Sequence, residues 1–261
     1  MSHSPEKVDG AAVTAQFAEL TYAAFRQMAK DPTLSETEKI GSPDAFREGF
    51  EPVILADFEA KLPALTRPGA SIVDIGAGCG ELARQMIART GERGQKLICV
   101  DNPEMLALLP DAAHVIKLPG LFPGETARKL ASLLPGGADA IITYGVLQSV
   151  YFEANPFQFA DAVAALLAPG GAALIGDVAN HSKLRRFLSS AAGVAFHQAY
   201  MRVDTAPEVP AFATDPMRID DAVMLGIVAR LRGAGYDAYI MPQPAALPVS
   251  NRREDLLILR P

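Results

Sequence analysis

Ser71-Ile72-Val73-Asp74-Ile75-Gly76-Ala77-Gly78-Cys79-Gly80-Glu81-Leu82 decides how the rest of this 261-residue chain is read. Ile72, Val73 and Ile75 form a short β-branched run of the kind that builds a strand buried on both faces. The run stops at three glycines, Gly76, Gly78 and Gly80. From Glu81 the apolar residues fall at Leu82, Met86 and Ile87, and this spacing predicts a helix. Strand, glycine turn and helix in that order make a βα unit of the nucleotide-binding type, because glycines let the backbone approach a ligand and the amides opening the helix point outward. A dinucleotide fingerprint, G-x-G-x-x-G, needs glycine where Glu81 stands; the spacing here is G-x-G-x-G.

Working outward, Leu97, Ile98, Cys99 and Val100 predict a second buried strand with Asp101 at its carboxyl end. A carboxylate in that place can accept both hydroxyls of a ribose. It also suits the cap of a helix that has Pro103 among its first residues, and the two roles are compatible. Further strands are predicted at 114–120, at 138–143 leading into Tyr144, and at 172–178. A helix follows from Asp220-Asp221, then two strands at 238–242 and 255–261.

Asp74-Ile75-Gly76-Ala77-Gly78-Cys79-Gly80 resembles the first motif of class I S-adenosylmethionine-dependent methyltransferases. Asp101, the fourth strand and the Pro169-Gly170-Gly171 turn before the fifth strand then follow in that family's order. The resemblance spans most of residues 70–178 and, more loosely, the C-terminal helix and strands. It implies an α/β fold with a doubly wound, mostly parallel seven-stranded Rossmann-like sheet and an antiparallel C-terminal edge. It implies S-adenosyl-L-methionine as cofactor, with Gly76, Ala77, Gly78 and Gly80 along its methionine part, Asp74 at its amino group and Asp101 at its ribose. Asn102 and Pro103, with Met105, would border the adenine, backbone groups near Leu121 would meet it, and Tyr144 would line the pocket. The chain departs from the pattern in two places. No acid follows the third strand for the adenine amino group, and Gln148 stands where relatives often carry histidine. Two other readings stay open: a nicotinamide-dependent oxidoreductase, disfavoured by the glycine spacing and the edge strands, and a catalytically silent methyltransferase-like subunit that binds cofactor or a partner protein.

Residues 1–66 are expected to form an N-terminal helical cap, either packed on the sheet or covering the pocket. Val13, Phe17, Leu20, Tyr22, Phe25 and Met28 predict one helix within 11–30, ended by Asp31-Pro32. Phe46, Phe50, Val53, Ile54, Phe58 and Leu62 predict a second from about 43 to 65, with Ser42 and Asp44 as capping oxygens. Residues 67–261 form the cofactor-binding domain, interrupted by a substrate insertion at 179–218. Lys183, Arg185 and Arg186 in that insertion could meet a phosphate or carboxylate on the acceptor, although a solvated helix face is the plainer explanation. His181 and His197 are the only imidazoles of the insertion and therefore the candidate general bases for a hydroxyl acceptor. The expected reaction is methyl transfer to a small molecule, at an oxygen of an anionic or sugar-like metabolite.

Composition narrows the partners. With 24 basic against 30 acidic residues the net charge is −6, and no basic run stands out, which argues against nucleic acid. Two cysteines make no disulfide framework, and with no apolar signal core or run of about eighteen apolar residues a membrane is not expected. The chain reads as cytoplasmic. Its four histidines are scattered and no zinc-binding spacing occurs, so no metal is expected. A homodimer is compatible with the sequence.

Overall fold

The computed structural model of the chain describes residues 20–44, 47–209 and 215–261. Seven strands form one sheet: β1 (Ser71–Ile75), β2 (Lys96–Asp101), β3 (Val115–Pro119), β4 (Ala138–Tyr144), β5 (Leu167–Ala179), β6 (Asp237–Pro242) and β7 (Arg253–Leu259). Their order is β3-β2-β1-β4-β5-β7-β6. β1 to β5 are parallel, and β7 lies antiparallel between β5 and β6, as expected from the two C-terminal strands. The order reverses between β1 and β4, which opens a crevice at the carboxyl ends of the central strands.

Each central strand sends alternate residues to opposite faces, and both faces are apolar. Val73, Ile75, Ile98 and Val100 join one core with Phe159 and Val163 of the helix Pro156–Ala165 and Met224 and Ile227 of the helix Asp221–Gly233. Ile72, Leu97 and Cys99 join the other with Ile54 and Phe58, and with Met86 and Ile87 of the helix Glu81–Glu92. The helix after the glycine turn therefore packs on the sheet through its predicted stripe. Its own start carries no side-chain cap.

The N-terminal prediction needs correction. Val13 and Phe17 lie outside the described residues, as does Phe46; the first described helix is α1 (Tyr22–Lys30). A short helix, α2 (Glu36–Lys39), was not expected. It is set by a capping box in which Ser35 and Glu38 satisfy each other's backbone amides. The second predicted helix is shorter: α3 runs Glu51–Lys61, and a 3-10 turn covers Pro63–Thr66. Asp44 does not cap α3, whose N-cap position is held by Phe50 without a side-chain cap; the Asp44 carboxylate accepts the Ser35 hydroxyl at 2.7 Å. Leu62 leaves the helical region because Pro63 follows it.

β5 starts at Leu167, earlier than predicted. Ala138 pairs with Leu167 but Ala140 with Ala172, so the Pro169-Gly170-Gly171 segment is a register shift within the strand. The insertion forms two helices, α9 (His181–Leu188) and α10 (Ala191–Met201) by chain order, the second capped by Ser190. Among the described residues no helix is long and apolar enough to cross a membrane.

Candidate active site

A cavity of about 1120 Å³ lies over the carboxyl ends of β1, β2, β4 and β5. Small-molecule sites occupy roughly 300–1,000 Å³, so this one has room for two ligands side by side. Its floor is the glycine turn. Gly76 and Gly78 take φ of +74° and +67°, in the left-handed region. A Cβ on Gly76 would stand 2.4 Å from Val146 Cγ2, and one on Gly78 2.7 Å from Ile40 Cγ2. The turn is thus pressed between the start of the β4 loop and the N-terminal segment.

Asp101 ties this turn to β2. Its Oδ2 accepts the Gly78 amide at 2.8 Å, and its Oδ1 accepts the Asn102 amide and side chain at 2.6 and 3.0 Å. Asn102 in turn caps the helix Pro103–Leu106 through the Met105 amide, with Pro103 in its first turn. Burial raises the Asp101 carboxyl to about 6 against the pull of the Gly78 and Asn102 amides. Asp74 is buried on the β1 end, and no hydrogen bond reaches its carboxylate among the described residues. Burial first, then the Asp101 charge, raise it to about 7, while Arg47 opposes the shift. A buried carboxylate with no donor fits an ammonium group, and a diol fits the carboxylate of Asp101; the residues present therefore suit a nucleoside that carries an amino-acid tail.

Of the remaining expected cofactor residues, Gly76, Ala77, Gly78, Gly80, Asn102, Leu121 and Tyr144 line the cavity. Pro103 does not face it. The Tyr144 ring packs edge-on against Phe58 at 5.0 Å, with the Arg47 guanidinium over it at 4.9 Å. Its buried hydroxyl has no partner, and burial pushes its pKa well above the usual tyrosine range.

The acceptor side differs from expectation. His181 and His197 line the cavity, but Lys183, Arg185 and Arg186 do not. Lys183 Nζ donates to the Arg253 carbonyl at 2.7 Å, and Arg186 pairs with Asp221. Amphipathic geometry explains this: on α9 the residues His181, Leu184 and Leu188 face inward, and those at 183 and 186 fall on other sides. The cations that line the cavity are Arg47, Arg218, Arg252 and Arg253. The sequence carried no signal for Arg47, hidden in a stretch predicted helical, nor for Arg252-Arg253, which read as the approach to an edge strand. Tyr22, Phe25 and Ile40 also line the cavity. Within the same region α3 packs on the sheet through Ile54 and Phe58.

No family model matches the chain, and no curated protein matches it by sequence. Solved structures do match. The chain is similar over 96% of its length to 67% of an O-methyltransferase family protein from Burkholderia thailandensis, with 18% identity and a TM-score of 0.53. It is similar over 96% of its length to 97% of the plantazolicin methyltransferase BpumL in complex with S-adenosylhomocysteine and a triazolic desmethyl-plantazolicin analogue, with 13% identity and a TM-score of 0.54. The CurJ carbon methyltransferase matches over 95% of this chain and 66% of its own, with 14% identity and a TM-score of 0.51. The fold is that of the S-adenosylmethionine-dependent methyltransferases.

Proposed function

We propose that the chain transfers a methyl group from S-adenosylmethionine to an oxygen of a small, anionic or sugar-like molecule. The observation that carries this reading is the pairing of Asp101 with the Gly76–Gly80 turn, beside the donor-free Asp74 carboxylate, over one end of a methyltransferase-type sheet. In this assignment Asp101 accepts the ribose hydroxyls, Asp74 holds the ammonium, and Asn102 and Leu121 border the base. The sulfonium of the cofactor supplies an already activated methyl group, so the protein has chiefly to align the acceptor and exclude water.

A hydroxyl acceptor also needs somewhere for its proton to go, and His181 is the proposed base. Its Nδ1 is buried in the cavity wall without a partner. Burial, and after it the Arg218 charge, lower its pKa, which keeps the imidazole neutral and able to take a proton near neutral pH. His197 lines the same cavity from α10 and is the second candidate.

Titration calorimetry with S-adenosylhomocysteine and with NAD tests the cofactor. Binding of the first and not the second is expected, and the reverse would overturn the reading. Formation of S-adenosylhomocysteine from S-adenosylmethionine with an acceptor panel separates an enzyme from a silent binding subunit. His181→Ala is expected to lower that turnover by about 10²- to 10⁴-fold with cofactor affinity unchanged.

A further inference from the structure

The cavity is also lined by Arg47, Asp177, Arg252 and Arg253, none of which the reading above employs. Asp177 ends the inward part of β5 with φ of +57°, a conformation that non-glycine residues rarely keep without cause. Its backbone is fixed on both sides. The amide donates to Asp255 Oδ1 at 2.8 Å, and the carbonyl accepts Gln148 Nε2 at 2.7 Å and Arg253 Nη1 at 3.0 Å.

Two guanidiniums flank the carboxylate without bonding to it: Arg47 Nη1 lies 4.0 Å from Oδ2 and Arg253 Nε 3.8 Å from Oδ1. Among the described residues the Arg252 side chain has neither a hydrogen bond nor an ion pair. The Nε atoms of Arg47, Arg252 and Arg253 and the Tyr144 hydroxyl are all buried without partners. Buried donors in folded proteins are nearly always satisfied, and a charge left unpaired away from water is costly. Arg47 and Arg253 share the Asp177 carboxylate, Arg252 has no acidic partner among the described residues, and four polar atoms of this wall lack a hydrogen bond.

Part of the same compartment is apolar. The Phe196 and Tyr200 rings of α10 stack at 5.7 Å with 9° between their planes, and both line the cavity with Leu184 and Leu188.

We infer that the acceptor is an aromatic or apolar molecule bearing a carboxylate, with that carboxylate bound by Arg47, Arg252 and Arg253 and its body against Phe196 and Tyr200. The planar fork of arginine matches a carboxylate in two parallel hydrogen bonds, and burial makes such charge-assisted bonds strong. The inference deepens the methyl-transfer reading and rests on it for the identity of the neighbouring ligand.

The test is calorimetry of the full chain with benzoate, 3-phenylpropanoate, the methyl ester of the latter, and inorganic phosphate, each with and without S-adenosylhomocysteine. The carboxylates are expected to bind and the ester to bind at least tenfold more weakly. Arg252→Gln should lose at least tenfold in carboxylate affinity while S-adenosylhomocysteine affinity stays at the wild-type value. Arg252→Lys, which keeps the charge and loses the fork, covers the case in which the glutamine variant fails to fold, and should lose several-fold. Equal binding of acid and ester, wild-type affinity in the Arg252 variants, tighter binding of phosphate than of either carboxylate, or no binding by any of the four would overturn the inference. Failure of S-adenosylhomocysteine alone to bind would instead sink the cofactor reading.

Discussion

The Gly78 amide donates to Asp101 Oδ2 across 2.8 Å, so the glycine turn after β1 and the acid that ends β2 are a single unit. Asp101→Asn keeps the size of the side chain and replaces one acceptor oxygen by a donor. Either the Gly78 amide or a ribose hydroxyl then meets an N–H where it needs an oxygen. At least a tenfold loss of S-adenosylhomocysteine affinity by calorimetry is expected, with the thermal midpoint changed by only a few degrees. Unchanged affinity would remove Asp101 from the cofactor site.

Asp74 makes the cofactor-free chain pH-sensitive. Its carboxyl is raised from the ordinary 3.8 to about 7 by burial and then by Asp101. In that window the folded chain retains a proton that the unfolded chain has released, so stability falls as pH rises from about 4 to 7. Asp74→Asn should therefore raise the thermal midpoint of the cofactor-free protein at pH 8 and flatten its dependence on pH. The same variant should bind S-adenosylhomocysteine more weakly, and the wild-type gain in affinity between pH 5.5 and 8, as the carboxylates charge, should shrink to the part that Asp101, raised to about 6, supplies. A variant that melts like the wild type at both pH values would show that Asp74 is not strained by its burial.

The parallel sheet was legible because its signals are local. Leu97–Val100 is a continuous apolar run and Ile72–Ile75 is interrupted only by Asp74, and each is followed at once by a residue of the candidate site, Asp101 and Gly76 respectively. Apart from Tyr144, the acceptor wall was not legible because its members come from three separate places, at Arg47, Asp177 and Arg252-Arg253, that only the fold brings together. Lys183, Arg185 and Arg186 drew attention by clustering in sequence, yet clustering on a helix spreads side chains around its circumference. The helix predicted over 43–65 begins only at Glu51, behind Phe50, which offers no side-chain cap, and the Asp44 oxygen goes to the Ser35 hydroxyl, a partner that periodicity cannot reveal.

Gly76→Ala should separate backbone strain from crowding. The residue keeps φ of +74°, and its new Cβ would lie 2.4 Å from Val146 Cγ2. A loss of about 1–3 kcal/mol in denaturant unfolding is expected, together with weaker cofactor binding. Adding Val146→Ala relieves the contact but leaves the dihedral, so the double variant should recover only part of the loss. Full recovery would mean that φ costs nothing here.

Lys61 is the last link between the core and the acceptor wall. Its Nζ lies 2.6 Å from both Asp57 Oδ2 and Asp255 Oδ2, and Asp255 is fully buried. Asp255 also accepts the Asp177 amide and Gln243 Nε2, so it fixes the tip of β5. Burial already raises the Asp57 carboxyl, and the Lys61 charge holds that shift back. Lys61→Met leaves two buried carboxylates without their cation, and removing one partner of such a buried group costs roughly 3–5 kcal/mol. The Asp57 carboxyl would then titrate higher still in the folded state, so the deficit should be smallest at low pH, where it is protonated, and grow as pH rises through its raised pKa. Urea unfolding at pH 5.5 and pH 8 reads this directly: a larger deficit at pH 8 is expected, and an equal deficit at both would mean that lost packing of the lysine stem, rather than uncompensated charge, sets the cost.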